Sequence, residues 1–136
     1  MSVIKSSRNE SDAQFLATAR ELEIFTLKKC LKIPKRYTKI FSEYLAHLAF
    51  DVYNNVKMSN AIYPDTKEKI NRRTYYFDAA TRYLYCLISQ IDIAKELLLT
   101  ELTEYGWIHW MELIDKELNL IKAIKKSDND RLKKLD

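Results

Sequence analysis

Residues Phe41–Asn60, FSEYLAHLAFDVYNNVKMSN, decide the fold. Phe41, Leu45, Leu48, Val52, Val56 and Ser59 step by 4, 3, 4, 4 and 3 residues, which winds them into one stripe along a 3.6-residue helix. A stripe of that length needs apolar cover from end to end, so the segment predicts a helix packed among other helices.

The flanking sequence repeats the pattern. Upstream, Phe15, Leu16, Ala19, Leu22, Phe25 and Cys30 keep helical spacing over about Asp12–Lys32, after a polar leader of about residues 1–11 whose Ser11 has the position of an N-cap. Pro34 stops that helix and suits the first turn of the next, over about Lys35–Asn60. Tyr63-Pro64-Asp65 marks another turn, with Asp65 or Thr66 as cap. A third helix, about Thr66–Leu98, carries Ile70, Phe77, Leu84, Ile91 and Leu98 at seven-residue steps, with Ala80, Leu87 and Ala94 between them. The fourth, about Glu104–Lys126, carries Trp107, Met111, Ile114, Leu118 and Ile121. The turn between these two falls around Thr100–Tyr105, and the tail from about residue 127 to 136 is polar enough to be expected to fray.

With one glycine and two prolines in 136 residues, little remains for hairpins. The expectation is an all-α, single-domain, up-down-up-down four-helix bundle. The start MSVIKSSRNE lacks a signal-peptide core and no apolar run reaches bilayer length, so a cytoplasmic protein without a membrane role is expected. Cys30 and Cys86 stand apart without metal or redox spacing and read as reduced, packed side chains.

Charge is distributed unevenly around a net +4. Lys28, Lys29, Lys32, Lys35, Arg36 and Lys39 crowd the first corner, and no carboxylate falls between them. Solvated helix faces normally mix signs through i,i+4 pairs, so a corner of one sign points to an anionic partner. The expected partner is RNA or DNA held through phosphates, with little sequence readout because no base-reading motif is present. Alternating helix direction would place Glu96, Glu101 and Glu104 at the same end. Lys67, Lys69, Arg72 and Arg73 would gather with Lys122, Lys125 and Lys126 at the other, where Arg72 and Arg73 form a second candidate patch.

Helix three also carries bulk away from its seam. Tyr75, Ala79 and Cys86, flanked by Arg72 and Arg82, lie roughly opposite the Ile70–Phe77–Leu84–Ile91 row, which suggests either a wet tyrosine surface or an oligomer interface. Catalytic patterns are absent from the reading: no catalytic residue, metal ligand set or cofactor is expected. His109-x-x-Glu112 and Glu43-x-x-x-His47 are spaced as helix-surface pairs and match neither a di-iron set nor HExxH, and no glycine loop or nucleophile elbow occurs.

The run Lys32–Tyr37 (KIPKRY), the segment Val52–Lys57 (VYNNVK) with Asn60-Ala61, and Ile88–Ala94 (ISQIDIA) resemble the four-helix bundle family that includes two groups. These are the accessory variability determinants of diversity-generating retroelements and the proteins encoded in intervening sequences of bacterial 23S rRNA genes. The resemblance spans about residues 15–126; the leader and the Trp107–Trp110 segment depart from it. It implies a basic, non-enzymatic homo-oligomer, a pentamer in the retroelement branch, that binds a reverse transcriptase and nucleic acid during mutagenic retrohoming. The Pro34–Tyr37 corner and the helix-three arginines would then supply the positive surface. The alternative it implies is an intervening-sequence-type structural or protein-interaction module.

Overall fold

The computed structural model describes residues 2–97 and 104–135, with side chains described for 14–97 and 106–135. Its α-helices are α1 (Ser2–Lys32), α2 (Glu43–Asn60), α3 (Lys67–Leu97) and α4 (Glu104–Leu135), and no strand occurs among the described residues. A 3-10 turn, Lys35–Tyr37, and a π-helical turn, Thr38–Ser42, lead into α2. Helix α1 packs on α2 and α4, and α3 packs on the same two. The result is a helical bundle around one core. No helix among the described residues is long and apolar enough to cross a membrane.

The stripes meet inside. Phe41, Leu45, Leu48, Val52 and Val56 are buried with Phe77, Leu84, Leu87, Ile91, Trp107, Ile114 and Ile121. Phe15 sets its ring edge-on to Phe77 with centroids 5.6 Å apart. Trp107 and Trp110 stack at 6.0 Å, and the Trp110 indole N–H donates to the buried Thr26 hydroxyl at 2.9 Å. The Trp110 indole is thus buried with its donor satisfied, whereas the buried Trp107 indole N–H has no hydrogen-bond partner among the described residues.

Several boundaries differ from expectation. Helix α1 begins at Ser2, so residues 2–11 continue a helix and Ser11 falls inside it. No proline or glycine in that stretch interrupts the backbone pattern. Thr66 is the cap of α3, its Oγ1 accepting from the Lys69 N–H at 3.2 Å, while Asp65 pairs with Lys69. Leu98, Glu101 and most of the expected Thr100–Tyr105 turn lie outside the described residues.

The tail is the larger correction. Helix α4 runs to Leu135, and Asp128 within it is only 4% exposed. Arg73 of α3 donates from Nε to Asp128 Oδ2 at 2.8 Å and from Nη2 to Oδ1 at 3.4 Å. Its Nη1 donates to the Ile62 carbonyl in the turn between α2 and α3, at 2.8 Å. The guanidinium also lies 5.2 Å from the Phe77 ring centroid. Nearby, Arg131 donates to the Pro64 carbonyl at 3.1 Å, and Lys125 pairs with Asp78. One end of α4 is thus joined to the start of α3 and to its preceding turn by polar groups. An arginine fork bound on both prongs offsets the large cost of leaving water, which lets so polar a tail pack.

Glu117 breaks the pattern. It is fully buried on α4 and neither carboxyl oxygen has a hydrogen-bond partner among the described residues. Burial pushes its pKa up to about 9, against a small opposing pull from Lys116. The group is therefore neutral in the folded protein at pH 7 and ionised in the unfolded chain. Between about pH 4.5 and 9 the unfolded state binds fewer protons, so stability falls with rising pH by up to about 1.4 kcal/mol per unit. Glu117→Leu removes this slope, and chemical denaturation should show a stabilisation larger at pH 8 than at pH 5. An equal effect at both pH values would contradict the buried neutral carboxyl.

Candidate nucleic-acid interface

The first corner is built by termination chemistry. Helix α1 ends with the Ile33 N–H donating to the Cys30 carbonyl at 3.2 Å, and Pro34 then holds the chain out of helix at ψ 146°. The Tyr37 N–H closes the 3-10 turn on the Pro34 carbonyl at 2.9 Å. In the π-helical turn that follows, the Glu43 N–H reaches back to the Thr38 carbonyl. Phe41 and Ser42 are both buried there. Ser42 and Cys30 then tie the two helices: Cys30 Sγ donates to the Ser42 carbonyl and Ser42 Oγ to the Cys30 carbonyl, each at 3.4 Å.

On this frame Lys28, Lys32, Lys35, Arg36 and Lys39 are exposed. Lys29 is half-buried, its ammonium 4.9 Å from the Phe25 ring centroid, and its pKa is lowered by burial and then by Lys32. Arg36 lies over the Tyr37 ring at 4.8 Å. Lys29 and Lys32 occupy the last turn of α1, where cations also favour the negative helix end. Part of the charge therefore serves the helix. Lys35, Arg36 and Lys39 lie beyond that helix end, on the 3-10 and π-helical turns. Exposed Leu31 (86%) and Ile40 (63%) sit among these cations; they lie off the core stripes, so periodicity did not single them out.

The second candidate patch divides. Arg72 is exposed, as expected. Arg73 is 6% exposed and held by Asp128 and the Ile62 carbonyl, so it is a structural residue unavailable to phosphate. A signal existed in the sequence, because Arg73 continues the row Ile70, Arg73, Phe77, Ala80, Leu84 at alternating steps of 3 and 4.

The outer face of α3 divides as well. Tyr75 is 65% exposed, edge-on to Tyr76, and Cys86 is exposed. Ala79 is 5% exposed and belongs to the protomer's interior. Ile93 (46%) and Leu97 (63%) extend the exposed apolar face toward the end of the helix.

His109 Nδ1 lies 3.8 Å from Glu112 Oε2, and its ring packs edge-on to Phe25 at 4.8 Å. Among the described residues no group of three or more His, Cys, Asp and Glu side chains is placed to hold a metal ion. Comparison of the chain with protein-family models, curated proteins and solved structures found no match.

The corner's closure can be read from its thiol. Burial pushes Cys30 up to about 11, whereas Cys86 is open to solvent. Iodoacetamide at pH 8 should alkylate Cys86 in the folded protein and reach Cys30 only on unfolding, with peptide mass mapping as the readout. Equal rates at the two cysteines would mean that the corner is not closed by the Cys30–Ser42 contacts.

Proposed function

We propose that this protein is a non-catalytic, cytoplasmic nucleic-acid-binding accessory that holds RNA or DNA through phosphates at the corner between α1 and α2. The observation that carries this reading is the set of five exposed cations, Lys28, Lys32, Lys35, Arg36 and Lys39, with no carboxylate between them in the sequence. Their side chains stand on a corner braced by Pro34 and by the Cys30–Ser42 contacts. A fixed cluster of like charges attracts a polyanion without the entropy cost of ordering a loop. Arg72 adds a contact elsewhere on the bundle.

The finer reading follows the resemblance of the corner and of the Val52–Lys57 and Ile88–Ala94 segments to retroelement accessory proteins. In it the chain is an up-down-up-down bundle that assembles as a homo-oligomer, a pentamer by that resemblance, and supports a reverse transcriptase during mutagenic retrohoming. The alternating order is supported by the contacts of Trp110, early in α4, with Thr26, late in α1, and of Arg73 with Asp128. Self-association is supported by the exposed Tyr75, Cys86, Ile93 and Leu97 on α3. Exposed Leu31 and Ile40 beside the cations favour a protein partner at the same corner. They also suit the second reading, an intervening-sequence-type module that binds protein alone.

Replacing Lys32, Lys35 and Arg36 with Gln tests the phosphate reading. Affinity for a labelled RNA or DNA strand should fall with salt at a log–log slope of roughly −0.7 to −0.9 per phosphate contacted. The triple variant should bind more weakly and with a shallower slope while its circular dichroism stays unchanged. Parent binding that ignores salt, or a variant that binds as the parent does, contradicts the reading. In a reconstituted reverse transcription, added protein should raise cDNA yield. Unchanged yield, with no isolable polymerase complex, favours the protein-binding module.

A further inference from the structure

A second cluster of exposed lysines lies away from the corner, along the crevice between α3 and α4. It encloses about 920 Å3 and is bordered by Tyr85 and Ile88 on one wall and by Asn119, Lys122, Lys126 and Asn129 on the other. The four α4 residues step by 3, 4 and 3, so they form one face about 15 Å long at 1.5 Å rise per residue. All four are exposed. Lys125 also borders the crevice, but its charge is compensated by Asp78. Lys122 and Lys126 make no ion pair among the described residues.

Tyr85, which borders the crevice, is 59% exposed. An exposed aromatic beside a row of ammonium groups matches the two demands of a flexible polyanion with planar substituents. The Asn119 and Asn129 amides each offer donors and an acceptor to base edges without fixing the sequence. A duplex does not suit the crevice, because its base faces are already covered by their neighbours.

The crevice also has a direction. Asp115 also borders the crevice, which beyond Ile88 and Asp115 meets a pocket lined by Asp92, Glu112 and Asp115 together with Lys95. The excess of carboxylates there favours a phosphate backbone less than the Lys122–Lys126 half does.

We infer that the α3/α4 crevice is a binding site for single-stranded nucleic acid, in which Tyr85 stacks on a base and Lys122 and Lys126 contact the flanking phosphates. The site stands on its own geometry and does not depend on the corner between α1 and α2.

Fluorescence anisotropy of the full chain with labelled twelve-nucleotide oligo-dT, oligo-U and an abasic strand of equal length tests it. Stacking of one base corresponds to roughly a five- to hundred-fold change in affinity. Tyr85→Ala should therefore lose about ten-fold or more toward oligo-dT or oligo-U, and Tyr85→Phe should keep the parent affinity. The abasic strand should bind the parent about as weakly as the base-bearing strand binds Tyr85→Ala. Lys122→Gln with Lys126→Gln should make the salt slope shallower by about 1.4, two single-strand phosphate contacts. A corner variant carrying Gln at positions 32, 35 and 36 should still prefer the base-bearing strand over the abasic one. If the parent binds both strands equally, or Tyr85→Ala binds as the parent does, the crevice is not such a site. If the crevice variants alone lose binding and the corner variant does not, the crevice site stands and the corner reading fails.

Discussion

The buried pair of Arg73 and Asp128 fastens the late part of α4 to the start of α3. A guanidinium bound to both carboxylate oxygens and to the Ile62 carbonyl, with Phe77 against its face, has its charge matched and most of its donors used. Removing either partner would leave a buried charge uncompensated, at a cost of about 3–5 kcal/mol. A pair this buried acts less as added stability than as a constraint on how α3 and α4 register, since a shift would strand both groups. With Arg131 on Pro64 O and Lys125 on Asp78 it carries α4 three turns beyond its last core aromatic or aliphatic row at Ile121–Ile124. Of the residues on the crevice wall, Lys126 and Asn129 lie on that length of helix.

Both basic regions stand on hydrogen-bonded helical backbone, but they are made differently. The α1–α2 corner gains its density from a chain reversal, because Pro34 ends one helix and brings its cationic last turn beside the cations of the next. The crevice gains its density from helical periodicity, which stacks two lysines one turn apart opposite an aromatic. The first suits a polyanion of any secondary structure, and the second needs open base faces. Two such elements on one bundle would let a strand be held at separate points, and a homo-oligomer would multiply both.

The apolar seams were legible in the sequence because burial in a helix bundle leaves a 3.6-residue mark. Leu45, Leu48, Val52 and Val56, and Phe77, Leu84 and Ile91, are buried as their spacing requires. The end of α4 was not legible from polarity. The buried row Ile114, Glu117, Ile121, Ile124, Asp128 keeps the same alternation, but its polar members hide it. Arg73 was misassigned for the same reason: the sign of a charge does not reveal that its partner is 55 residues away. Ala79 is enclosed although it lies off the seam, since α3 touches both α2 and α4 and a single methyl is easily covered. Among the proposed contacts, the corner cations stood out as a run of one sign, whereas the crevice depends on two helices coming together. Tyr85 and Lys122 are 37 residues apart, and neither stands out alone.

Amide hydrogen exchange along α4 is the most direct test of the claim that the Arg73–Asp128 pair orders this end of the bundle. In the parent protein, the amides of residues 122–133 should be protected well beyond random-coil rates. Asp128→Ala should remove that protection locally while the Leu113–Glu117 region remains slow. Random-coil exchange over residues 122–133 in the parent, or equal protection in parent and variant, would contradict it.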